Sequence, residues 1–184
     1  MRILLQFYKR VLNKHPVLTQ TIQVGVVMGG GDVISQVVVE KKSYKEYNFL
    51  RTAQFSSVGL CFLGPTLTMW YRLLAKYVGM KGSLVTVKKV ALDQLLFAPF
   101  CIAGLMSVLF TIQGQPPKQT INIIKKDYTD ILIANYKLWP AVQLVNFYIV
   151  PLNYQTLVVQ CVALLWNTYI SWKTQPQRRP MNNE

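Results

Sequence analysis

The chain has 184 residues, 52% of them apolar, and a net charge of +13 from 20 Lys or Arg against 7 Asp or Glu. This apolar content excludes intrinsic disorder, and a charged fraction of 15% falls well short of the roughly 25% carried by soluble domains. An excess of +13 could serve as a docking face for nucleic acid, but the basic residues instead flank four stretches almost free of charge, which argues against direct nucleic-acid binding.

In chain order, Arg2, Lys9, Arg10 and Lys14 interleave with Leu4, Tyr8 and Val11, predicting a basic amphipathic helix. It resembles a mitochondrial address in being acid-free and Arg-containing, yet it lacks Ser richness and leads directly into an apolar stretch. An ordinary interfacial helix is the other reading. Residues 17–39 contain one ionisable group, Asp32; 52–71 contain none; 90–112 contain only Asp93; 138–172 contain none. About 20 mostly apolar residues cross a bilayer, so spans are predicted near 17–39, 52–76 and 90–112. The fourth stretch would be about 52 Å long as one helix and must break. Pro151 is the natural break, since proline removes a backbone donor and clashes with the preceding turn. That leaves 152–172 as a span and 138–150 as an interfacial or re-entrant piece.

Between the last two spans, Pro116 and Pro117 open a segment in which Ile121, Ile124, Tyr128, Ile131 and Leu132 recur at helical spacing. An amphipathic helix over 117–137, lying on the membrane, is predicted. Aromatic residues near the stretch ends, such as Trp70, Tyr71, Trp139, Trp166, Tyr169 and Trp172, suit interfacial belts. The expected fold is an all-α integral membrane protein: one domain over 1–175, with four transmembrane helices kinked at prolines, the N-terminal and 117–137 amphipathic helices, and a polar C-terminal tail at 176–184. On that topology the termini and the basic residues around 72–89 share one side, with twelve of the 20 Lys and Arg.

Ionisable groups at membrane depth are costly and face a bundle interior or water. Asp32, with Gln36 one turn later and Gln20, Thr21 and Gln23 before it, gives the first span a polar line. Either these groups line an aqueous path, or Asp32 bonds a polar partner on a neighbouring helix and specifies packing. Asp93 follows Lys89 by four residues, predicting a local ion pair near the interface, and is followed by Gln94. Gly25 and Gly29 form a small-x3-small pair that allows close helix approach. Pro65, Pro99 and Pro151 interrupt the other three stretches, as transporters do at binding sites and other membrane helices do to shape packing. Cys61, Cys101 and Cys161 show neither a disulfide framework nor a zinc pattern, and His15 has no acid or nucleophile near it in sequence. No metal, cofactor or enzymatic activity is expected.

The chain resembles the peroxisomal membrane protein and Mpv-seventeen family of small four-span organellar proteins. The resemblance runs through His15-Pro16, Gly31-Asp32 with Gln36, Arg51-Thr52, Gly64-Pro65, Trp70-Tyr71, Lys89, Asp93-Gln94 and Pro99. It continues through Trp139-Pro140, Gln143, Asn146-Phe147, Val150-Pro151, Trp166-Asn167, Tyr169 and Ser171. Residues 135–147, followed by Pro151 and 166–172, are most similar to the Mpv-seventeen branch. Gln155 stands where members often have Arg.

The resemblance implies a multi-pass protein of the mitochondrial inner membrane, with the peroxisomal membrane as runner-up. It also implies a channel weakly selective for small solutes, supporting mitochondrial DNA maintenance through deoxynucleotide supply and limiting reactive oxygen species. In that reading Asp32, Gln36, Asp93 and Gln94 line or gate the path. The alternative is a scaffolding membrane protein without its own conductance, in which the same groups are interhelical bonds. The expected partners are the bilayer, anionic lipid at the basic flanks, and a homo-oligomer or larger membrane complex.

Overall fold

The computed structural model describes residues 14–79, 82–150 and 152–175. The predicted N-terminal amphipathic helix, the break at Pro151 and the tail at 176–184 lie outside the described residues. Among those described the secondary structure is helical: α1 (Pro16–Ile34), α2 (Phe49–Val58), α3 (Gly64–Val78), α4 (Ser83–Leu92), α5 (Ala98–Ile112), α6 (Pro117–Tyr148) and α7 (Leu152–Lys173). Three π-helical turns, Ser35–Val39, Gly59–Leu63 and Asp93–Phe97, extend α1 and join α2 to α3 and α4 to α5. The result is three continuous rods, Val17–Val39, Phe49–Val78 and Leu84–Ile112, each long and apolar enough to cross a membrane.

The second and third rods start earlier than charge counting alone implies. Asn48 caps α2, its Oδ1 accepting the Arg51 N–H at 2.9 Å, so the second rod begins at Phe49 and takes Arg51 inside. Likewise α4 carries Lys88 and Lys89 within the third rod. Two π turns answer the prolines. The rings of Pro65 and Pro99 would press on the carbonyls four residues back, those of Cys61 and Leu95. Both carbonyls sit in a widened turn, closed by Gly64 N–H to the Gly59 carbonyl and Ala98 N–H to the Asp93 carbonyl.

α1 runs antiparallel to the second rod at very close range. A Cβ on Gly59 would fall 2.8 Å from Gly25 Cα, and one on Gly64 would fall 2.8 Å from Thr21 Cα; Gly25 and Gly29 face Ser56 of α2. The other side of α1 meets α7, where a Cβ on Gly31 would lie 2.8 Å from the Asn167 backbone carbon. Met28, Phe55, Val58, Ile102, Met106, Leu109, Phe110, Ile131 and Ile170 form the core. Large apolar residues meanwhile stand outward: Val26 is 68% exposed and Phe100 74%, while Asp32 is 0%. Charge inside and hydrocarbon outside is the pattern of a helix bundle solvated by lipid.

Two expectations are corrected. The 117–137 helix does not end at 137 and does not stand apart from the bundle. It continues through Pro140 to Tyr148, absorbing the predicted separate piece at 138–150, and runs antiparallel to α5. Tyr128 Oη donates to the Pro99 carbonyl at 3.2 Å and Asn135 Nδ2 to Gln94 Oε1 at 2.8 Å. The cause is that Ile123 and Ile131, on its apolar face, are buried in the core. The remaining part of the fourth stretch, α7, has the length of a span at 22 residues, but Asn153, Gln155, Gln160 and Asn167 leave it short of the apolarity of the three rods.

Candidate functional site: two carboxylate clusters in the bundle

The first cluster sits where the end of α1, the start of α2 and the end of α7 meet. Asp32 is held on both oxygens. Ser171 Oγ donates to Oδ1 at 2.6 Å; Thr52 Oγ1 and Gln36 Nε2 donate to Oδ2 at 2.6 and 2.8 Å. Arg51 Nε approaches Oδ1 to 2.6 Å, an ion pair rather than an aligned hydrogen bond. The same guanidinium grips Glu40 in a fork, Nη1 to Oε2 at 2.9 Å and Nη2 to Oε1 at 2.6 Å, and Nη2 also donates to Ser171 Oγ. Lys42 closes the chain on Glu40 at 2.9 Å.

Two carboxylates and two cations balance, and Arg51 supplies the planar fork that a paired carboxylate needs. The π turn at Ser35–Val39 contributes Ser35, which donates to Glu40 at 2.9 Å. It also places Gln36, which exchanges bonds of 2.8 and 3.0 Å with the Asn48 backbone. Burial pushes the Glu40 carboxyl up, but hydrogen bonds from Arg51 and Lys42 outweigh it and hold the group at about 2.

The second cluster joins the second and third rods to α6. Trp70 Nε1 donates to Asp93 Oδ1 and Gln94 Nε2 to Oδ2, both at 2.9 Å. Asn135 of α6 in turn donates to Gln94, and Trp70 stacks on Phe97 at 4.8 Å with the rings 9° apart. The predicted Lys89–Asp93 pair does not form: the carboxylate turns inward to the indole, and among the described residues no Lys or Arg lies within ion-pair distance of it. Trp70, half-buried, thus ties the second rod to the third as a donor.

Of the other predicted residues, Trp139 meets Trp166 edge to face at 6.4 Å across α6 and α7, and Pro140 lies within α6. Asn167 bonds the Ala163 carbonyl at 2.7 Å beside Gly31. Asn146 is buried with its Oδ1 unbonded among the described residues. Spacing along the sequence marks Asp32 and Gln36 as one polar line but not Arg51, Thr52, Glu40 and Ser171 as their partners, nor Trp70 and Asn135 beside Asp93. The signal for Arg51 was Asn48, an N-cap residue just ahead of an apolar run.

No solved structure matches the chain. Residues 110–171 match the Mpv17 / PMP22 family. Over 166 residues, 90% of this chain and 94% of the relative, it is 42% identical to the mitochondrial inner membrane protein Mpv17 of Xenopus laevis, and equally to that of Homo sapiens. Against the Caenorhabditis elegans protein of the same name the identity is 37% over 94% of each chain. With that coverage added to apolar rods wrapped around buried charge, the chain belongs to the Mpv17 / PMP22 family and is a multi-pass protein of the mitochondrial inner membrane.

Proposed function

We propose that the protein is a channel-like conduit of the inner membrane, non-enzymatic and weakly selective for small solutes, with this conformation its closed state. The observation that carries the reading is that each of the three apolar rods contains a π turn, at the end of the first and inside the other two, and that two of those turns deliver the residues of a carboxylate cluster, Gln36 to one and Asp93 with Gln94 to the other. Interrupted helices and ionisable groups at membrane depth are the features from which solute paths are built. Asp32 and Gln36, wholly enclosed, gate rather than line the path; Asp93 and Gln94 stand beside it. α7, seated against Gly31, makes the fourth crossing, with Asn167, Thr168 and Ser171 buried in the bundle. The basic flanks hold anionic lipid, and the chain works as a homo-oligomer or in a larger complex. Following the family resemblance, the conduit serves mitochondrial DNA maintenance through deoxynucleotide supply and limits reactive oxygen species.

Planar bilayers containing the purified chain test this: discrete conductance is expected, with ion selectivity shifted by Asp93→Asn. A silent bilayer containing well-folded protein would sink it. The scaffold reading is favoured by one observation, the completeness of the bonds around Asp32. It expects no conductance, and Cys substitutions along 20–36 unlabelled by water-soluble reagents under every condition, whereas a gate that opens exposes one helical stripe.

A further inference from the structure

Between Glu46 and Asp93 the sequence contains no acidic residue but carries Arg72, Lys76, Lys88 and Lys89 on α3 and α4. None of these four is paired with a carboxylate among the described residues. At this end of the two rods a cleft of about 450 Å³ opens between the helices, lined by Tyr77, Val78, Lys88, Ala91 and Leu92. Lys76 Nζ lies 5.2 Å from the Tyr77 ring centre. Towards the bilayer the cleft is continued by exposed apolar residues, Leu73 one turn from Tyr77 on α3 and Leu95 one turn from Ala91. Lysines on spans hold their heads at the headgroup level while their stems lie on apolar surface. A bare cationic patch takes any anion; a cationic rim above an apolar cleft matches an amphiphile.

We propose that this cleft seats an anionic phospholipid, its phosphate held by Lys88 with Lys76 beside it and an acyl chain lying against Tyr77, Ala91 and Leu92. The inference rests on the reading that the basic flanks meet anionic lipid, and gives that contact a definite place. The test uses the full chain in phosphatidylcholine nanodiscs doped with phosphatidylglycerol, with the lipids released alongside the protein counted by native mass spectrometry. Retention of phosphatidylglycerol by Lys76→Gln/Lys88→Gln is expected to fall about thirty-fold, the effect of two charges at a membrane surface. Ala91→Trp, which fills the cleft and spares both lysines, should lower it as well. Lys125→Gln/Lys126→Gln, exposed on α6, should leave it unchanged, and added inorganic phosphate should not compete. If the α6 pair matters as much as the cleft pair, or the filled cleft retains lipid normally, or inorganic phosphate displaces the lipid, the cleft assignment is overturned. If the wild-type chain shows no preference for phosphatidylglycerol, the broader reading falls with it. Circular dichroism and size-exclusion chromatography verify folding, and Leu92→Gln replaces Ala91→Trp should the latter fail to fold.

Discussion

The two carboxylates at membrane depth are stabilised by opposite means. Asp32 is fully enclosed and meets a guanidinium, which a second carboxylate and a lysine balance in turn. Among the described residues Asp93 is bonded only by neutral donors, an indole and an amide. A buried charge with its counter-charge in place is locked to its geometry, because removing either partner strands the other in low dielectric. A carboxylate held by neutral donors strands no charge when it is altered. The first cluster is therefore a fastener between α1, α2 and α7, and the second is the place where charge can change without dismantling the bundle.

The largest expected effect breaks the fastener. Arg51→Gln leaves Asp32 without its counter-charge and Glu40 with only Lys42 and Ser35 among the described residues, and should cost about 3–5 kcal/mol, read as a lowered unfolding midpoint in nanodiscs. Adding Asp32→Asn to it should cost far less than the two single changes summed, since the stranded charge is then gone. Additive losses would show that the two side chains are not coupled. Next comes the helix contact on which the fastener depends. Gly59→Ala pushes a methyl onto Gly25 Cα and the Val24 carbonyl, both backbone atoms that cannot turn aside, and should cost about 1–3 kcal/mol. A wild-type midpoint would mean that α1 and the second rod can separate freely. Asp93→Asn should cost only about 1–2 kcal/mol, since the carboxamide oxygen accepts from one of Trp70 and Gln94 while its NH2 faces the other donor, while changing any conductance measurably. A stability loss matching that of Arg51→Gln would erase the contrast between the clusters.

The helices themselves were largely legible from where charge is absent, and the small-residue spacing at Gly25 and Gly29 marked a helix contact. The cross-helix partners were not, for an identifiable reason. A rule that ends a span at its first charge puts Arg51 and Lys89 outside and so reads them as flank, whereas helix formation starts at the cap, Asn48, and carries Arg51 inside. Spacing along one helix likewise offered Lys89 to Asp93, but the i,i+4 relation gives only a few tenths of a kcal/mol at a surface, too little to outbid the Trp70 indole donor. The residues that carried the family resemblance, Asp32, Gln36, Arg51, Thr52 and Ser171 in one group and Trp70, Asp93 and Gln94 in the other, are scattered in sequence and meet in space. That convergence required the tertiary structure to become visible.

A further expected effect is a pH dependence confined to acid, and it probes the outer edge of the fastener. Glu40 lies just beyond the first rod, its carboxyl held at about 2 against an ordinary 4.5. Because the folded value is the lower one, the unfolded chain binds the proton first as pH falls. The stabilisation from Glu40 is thus complete above about 4.5 and is lost as the pH drops towards about 2. Glu40→Gln should flatten this part of the stability profile while leaving the Asp32–Arg51 contact in place, so its loss at neutral pH should be well below that of Arg51→Gln. A Glu40→Gln profile as steep in acid as the wild type would mean that the acid sensitivity arises elsewhere, and that the fork from Arg51 contributes geometry rather than a coupled charge.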